Sequence, residues 1–293
     1  MSLSRRAFHR AAATALLSGA AGLSGRQTKP DTTPDSLDWV CPMDPDYRSA
    51  KPGVCPRCGM KLVLGIPERI EYMLEVNHSP EQLRPGQPVD LTFRVRDPRT
   101  GLRVSRFELV HEKLMHLFVV SENLQFFAHE HPLLQTDGSF TLSMKLPSGG
   151  MYRMLADYYP AGSVPQLSVE TLFVEGSSVP VKLAPCLTPS KATNLSASLS
   201  MDPEQPLAGF ETKLFYTLDP AEGLEPYLGA WGHMLAASAD LIDLIHLHPF
   251  LATGGDVQFN VIFPRPGLYR IWTQFQRKGA INTVIFTVPV KAL

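Results

Sequence analysis

Charge of one sign is missing from this 293-residue chain, because 27 Lys and Arg stand against 28 Asp and Glu with no basic stripe among them. That balance excludes the electrostatic footprint by which a protein holds nucleic acid or an anionic membrane surface. Long apolar runs are missing as well: the Ala-rich stretch from Ala11 to about Leu23 is too short to cross a bilayer. No glycine loop for phosphate, no dinucleotide fingerprint and no Ser/His/Asp nucleophile pattern occurs. Cysteine is scarce. Of the four, three fall between positions 41 and 58, and Cys186 stands alone in the connector Pro185-Cys186-Leu187-Thr188-Pro189, where no role is assigned to it. Such clustering points to an ion more than to a framework of disulfides.

What is present begins with turns. The 26 prolines and 21 glycines are spread between short apolar runs, which predicts a mainly β protein. At the N-terminus, Ser4-Arg5-Arg6-Ala7-Phe8 and the apolar run after it read as a twin-arginine export signal over residues 1–27, followed by a linker over 28–38. The mature protein is therefore expected in the periplasm or outside the cell, without a membrane span.

The strongest internal signal is a repeat. His116, His129 and His131 return as His233, His246 and His248 at a constant offset of 117 residues, and the offset holds through Ser121/Ser238, Gly150/Gly267, Tyr152/Tyr269 and Arg153/Arg270. A whole module was duplicated. Its predicted strands in the first copy, such as 89–95, 115–120, 126–131, 140–146, 152–158 and 167–174, have the spacing of a sandwich. Gly150-Met151-Tyr152 and Gly267-Leu268-Tyr269 match the tyrosine corner of immunoglobulin-like folds. The expected architecture is a small module over 39–67 and two tandem Ig-like β-sandwich domains over 68–177 and 178–293. The stretch 222–230 is left open to a helical turn.

Ahead of the repeats stand Cys41-Pro42-Met43-Asp44 and Cys55-Pro56-Arg57-Cys58-Gly59-Met60. Thiolates are soft donors that suit Cu(I) and Zn(II), and the thioethers of Met43 and Met60 favour Cu(I), so copper or zinc is the expected ion. Three readings stay open: a site that exchanges or senses metal, a zinc knuckle that only holds together a piece too small to bury its own core, and an oxidised Cys55 paired with Cys41 or Cys58. This segment resembles the heavy-metal-binding domain of bacterial copper-efflux ATPases and efflux adaptor proteins. That family usually carries histidine where this chain has Asp44. The resemblance implies metal ions as partners, and with them a component of a metal-efflux system.

Hairpin arithmetic places the histidines. With Glu122-Asn123 and Ala239-Asp240 as two-residue loops, His116 would lie opposite His129 and His233 opposite His246, with His131 and His248 on the same face two residues on. Cross-strand Cβ atoms would then be about 5 Å apart, near enough for each triplet to share an ion. Three neutral imidazoles suit Cu(II), Zn(II) or Ni(II), and Met115 or Met234 nearby would leave room for Cu(I). The plainer alternative is that these are interior histidines satisfied by backbone carbonyls. His9, His78 and His111 stay unassigned.

The phrases Leu114-Met115-His116-Leu117-Phe118-Val119-Val120-Ser121 with Phe127-Ala128-His129-Glu130-His131-Pro132, and His246-Leu247-His248-Pro249, resemble secreted bacterial proteins that carry the heavy-metal-binding domain. That resemblance implies a periplasmic metal-associated protein serving metal homeostasis or resistance, and names no reaction. Two other functions compete. His-x-His-Pro after a strand resembles the metal motif of cupin enzymes, although Gln135, Ala252, Tyr152 and Tyr269 stand where cupins carry their further ligands. The other is a docking module of an envelope or efflux complex with a structural zinc.

Overall fold

The structure is a computed structural model that describes residues 39–43, 47–57, 59–65 and 70–293. The twin-arginine segment, the linker to residue 38, Asp44 and Cys58 lie outside the described residues. No helix occurs among the described residues, and the stretch 222–230 holds the short strand Leu224–Glu225 and a tight turn rather than a helical one.

Each repeat is a two-sheet sandwich. In the first, one sheet runs Met73–Ser79, Pro88–Arg96, Phe140–Lys145, Leu133–Leu134, and the other runs Gln166–Val174, Gly150–Tyr158, Met115–Ser121, Phe127–Glu130. The second repeats this plan, with His233–Ser238, Leu244–Leu247 and Gly267–Arg277 in the places of Met115–Ser121, Phe127–Glu130 and Gly150–Tyr158. All pairings in these sheets are antiparallel. The sheets stay open and separate, so no cupin barrel is formed. Period-2 alternation explains the cores: Val89, Leu91, Phe93 and Val95 fall on one face and pack with Phe140, Tyr152 and Met154.

Tyr152 donates its phenol to the carbonyl of Ser148 at 2.9 Å, and Tyr269 to that of Arg265 at 3.1 Å. Both are tyrosine corners, as their Gly-x-Tyr sequences foretell. Gly150 holds φ at +108, where a side chain would be strained.

The strand Met115–Ser121 is buried along its whole length. Alternate residues cannot all face one core, so a second core must cover the other side. Met115, Leu117 and Val119 enter the sandwich, while Phe118 and Val120 join Leu124 and Leu155 against Leu235, Ala237, Leu241 and Trp272 of the second repeat. These eight residues are four repeat-related pairs at the 117 offset, so the two sandwiches meet back to back through equivalent surfaces, as in an isologous dimer. Phe127 stacks on Trp272 with ring centroids 5.2 Å apart.

Candidate metal centre

The histidine strands lie beside that shared apolar core. His116 and His233 are the first inward residues on the interface face of their strands, directly before Phe118 and Leu235. Their hairpins close on four-residue loops, not two. Ser121 N donates to Phe126 O and Ser238 N to Asp243 O, with Leu124 and Leu241 in left-handed conformation. The side chains of Asn123 and Asp240 fix these loops by accepting from Ser121 Oγ and Gln125 N, and from Ser238 Oγ and Ile242 N.

The register accordingly shifts: Phe118 faces His129 and Leu235 faces His246. His116 and His233 are not opposite His129 and His246. A shift of two residues leaves every side chain on its original face, so the triplets still converge. In each, one nitrogen per ring lies within 4.8 Å of the others: His116, His129 and His131 in one set, His233, His246 and His248 in the other. The thioethers do not join them, because Met115 and Met234 point the opposite way into their own sandwich cores.

The two triplets share one chamber. His116 and His233 stack with centroids 5.6 Å apart, and His129 lies 5.4 Å from His233. A seventh imidazole, His111, occupies a tight turn after Val110 and lies 3.6 Å from the His248 ring.

Hydrogen bonds fix the tautomers. His116 Nε2–H donates to Val110 O at 2.8 Å and His233 Nε2–H to Tyr227 O at 2.9 Å. His129 Nδ1–H donates to Gln274 Oε1 at 2.7 Å, and His246 Nδ1–H to Asp157 Oδ2 at 2.8 Å. Each of these rings is thus anchored through one nitrogen and presents the other as a lone pair. The anchoring carbonyls are those of the interior-histidine reading, but they satisfy only half of each ring.

His116 Nδ1 and His129 Nε2 then face each other at 3.0 Å as two acceptors. Such a pair repels unless a cation stands between them. Burial, reinforced by neighbouring imidazoles, holds His116 down at about 4, His111 and His131 at about 3 and His129 at about 2, with His233 and His248 also well below the usual range. A proton is a poor occupant. A metal fits better: bonds of about 2.0–2.1 Å put tetrahedral ligand nitrogens about 3.3 Å apart. His131 Nε2 and His246 Nε2, one in each triplet, are buried without a hydrogen-bond partner, as lone pairs reserved for an ion would be.

The cysteine module packs against this chamber. Trp39–Val40 pairs with Arg48–Ser49 and Val63–Leu64. Cys55 N donates to Met60 O and Cys55 O accepts from Gly59 N, which curls the chain around the cysteine. Cys41, Cys55 and Met60 are buried together with Leu62, and Met43 packs on them. Val110 and Tyr159 complete that cluster from the first repeat. Val110 is also the residue whose carbonyl anchors His116. A cleft of about 920 Å³ runs between Met43 and Arg57 on one side and Asp157, His246, His248 and Phe250 on the other.

His111, Asp157 and Gln274 escaped the sequence reading. Asp157 and Gln274 stand at the same 117 offset within the strands Gly150–Tyr158 and Gly267–Arg277, and a polar residue repeated at one place in two mostly buried strands was the available signal.

Residues 70–176 and 178–292 each match one family, a domain of unknown function (DUF8832). The chain belongs to that family, in two tandem copies. Residues 39–63 match the heavy metal binding domain, so a module of that class precedes the pair. No curated protein matches the sequence. Among solved structures, the chain is similar to an adhesin of Escherichia coli, FdeC, at 13% identity over 80% of this chain and 71% of that one, with a TM-score of 0.27. It is similar also to the fibronectin(III)-like modules of Clostridium thermocellum CbhA, at 12% identity over 75% of this chain and 95% of that one, with a TM-score of 0.22. Neither likeness says anything of function.

Proposed function

We propose that this is an exported metal-binding protein that serves copper homeostasis in the periplasm, holding ions at its heavy metal binding domain and in the imidazole chamber between the repeats. The observation that carries the reading is the convergence of two imidazole triplets in which His116, His129, His233 and His246 are each anchored to an oxygen through one nitrogen, leaving the other as a lone pair. A duplicated structural histidine would need one anchor, not a facing pair of acceptors such as His116 Nδ1 and His129 Nε2. Sulfur donors suit Cu(I), and the chamber's nitrogens suit Cu(II) or Zn(II). A metal-efflux component is the expected partner for ions released from the cysteine module.

Element analysis of protein purified from the exported fraction tests this. Wild type should carry metal at both places. The Cys41→Ser/Cys55→Ser/Cys58→Ser chain should lose one share, and a chain with His116, His129, His131, His233, His246 and His248 changed to Ala the rest. If the histidine variant holds as much metal as wild type, the chamber is no ion site. If the cysteine variant loses zinc only, the copper assignment fails.

A further inference from the structure

The two triplets are copies, but what stands behind them is not. Two of the four anchoring bonds cross from one repeat to the other: His246 of the second repeat donates to Asp157 of the first, and His129 of the first donates to Gln274 of the second. Asp157 pairs with His116 across its sheet, as Gln274 pairs with His233, so the two acceptors hold equivalent places. One is a carboxylate and the other an amide.

We infer that the chamber is a two-ion centre with unequal halves, in which the triplet His233, His246 and His248, backed by Asp157, takes the first divalent ion and the triplet His116, His129 and His131, backed by Gln274, takes the second. The inference rests on the metal-binding reading above. A carboxylate that accepts from Nδ1–H draws that proton towards itself and makes Nε2 a stronger donor to metal, and it supplies negative charge beside a dication. An amide oxygen fixes the ring without adding charge. Asp157 is 2% exposed, and its second oxygen, Oδ1, is buried without a partner. A buried charge of this kind is costly unless something cationic shares its surroundings.

Access points the same way. The cleft beside the cysteine module reaches His246, His248 and Asp157, whereas none of His116, His129 and His131 lines it. His111 adds a further imbalance: it stacks on His248, and its counterpart at the 117 offset is Leu228, in a turn of the same left-handed backbone. Because His233 of one triplet lies within 5.6 Å of His116 and 5.4 Å of His129 of the other, charge bound at the first is felt at the second, which widens the gap between them.

The test is a Zn²⁺ titration of the full chain, with Cys41, Cys55 and Cys58 changed to Ser, in competition with a chromophoric chelator. Two ions should bind, the first more tightly. Asp157→Asn keeps an oxygen for His246 to donate to, and should weaken the tight step about 10–100-fold while moving the other far less. Gln274→Glu should do the reverse, strengthening the weak step until the two merge. Because the two variants move affinity in opposite directions, a simple loss of folding cannot mimic the pair. Two ions bound with affinities that neither variant moves, or a single ion in all of them, would overturn the unequal centre alone. No Zn²⁺ uptake at all would overturn the metal-binding reading beneath it.

Discussion

On the function proposed, the cysteine module and the imidazole chamber would hold ions by opposite strategies. The module is three two-residue strands around a few buried side chains, too little apolar surface to order itself without help. The chamber sits where two complete sandwiches join, and its rings are held by the hydrogen bonds of the strands around it. An ion at the module would be part of folding; an ion in the chamber would meet a site already built.

The largest expected effect follows from that contrast. A strong chelator should unfold residues 39–65 locally, since a structural ion in so small a unit contributes about 10 kcal/mol or more, while the amides of Met115–Ser121 and His233–Ser238 keep their protection. Hydrogen exchange with and without chelator reads this. Equal loss of protection in both places would erase the distinction between them.

Acid should sharpen it from the other side. An unfolded histidine titrates near about 6.5, while burial keeps His116 at about 4 and His111 and His131 at about 3 in the folded chain. Above that unfolded value neither state takes up protons and stability is flat. Below it the unfolded chain binds protons that the folded one refuses, so stability of the ion-free protein falls by up to about 1.4 kcal/mol per pH unit for each fully buried ring, until the pH reaches the folded values. Urea midpoints between pH 7 and pH 4 should drop steeply, and the drop should vanish in a chain whose chamber histidines are replaced by Leu or Gln.

Next in size is the seam that builds the chamber. Trp272→Ala removes a buried ring that stacks on Phe127 and should cost about 3–5 kcal/mol. It should also weaken Zn²⁺ binding in the chamber, since both triplets depend on the repeats staying docked back to back, and leave the module's ion in place. Calorimetry and the chelator titration measure the two halves of that statement.

How much of this was legible in the sequence follows from range. The strands, the tyrosine corners and the common face of each triplet depend on alternation and on near neighbours, and these can be read from residues in a row. The hairpin register depends on a side-chain bond within the loop, Asn123 to Ser121 and Asp240 to Ser238, and a two-residue loop looked equally good on paper. The back-to-back docking could have been suspected from the unbroken apolar run Leu117-Phe118-Val119-Val120, which has too little polarity for a strand with one wet face. The crossing of His246 to Asp157 and His129 to Gln274 is set by the way the repeats meet, and nothing local encodes that.

The smallest effect separates the chamber's ligands from its neighbour. His111 buries an Nε2 without a partner, which costs stability, and Leu228 shows that leucine adopts the same turn in the other repeat at φ +50 against +46. His111→Leu should therefore leave the ion-free protein unchanged or raise its stability by up to about 1 kcal/mol, seen as a small rise in urea midpoint without a change in slope. If stability falls instead, the ring is a packing element of the second triplet in its own right, and the chamber is less prebuilt than its hydrogen bonds imply.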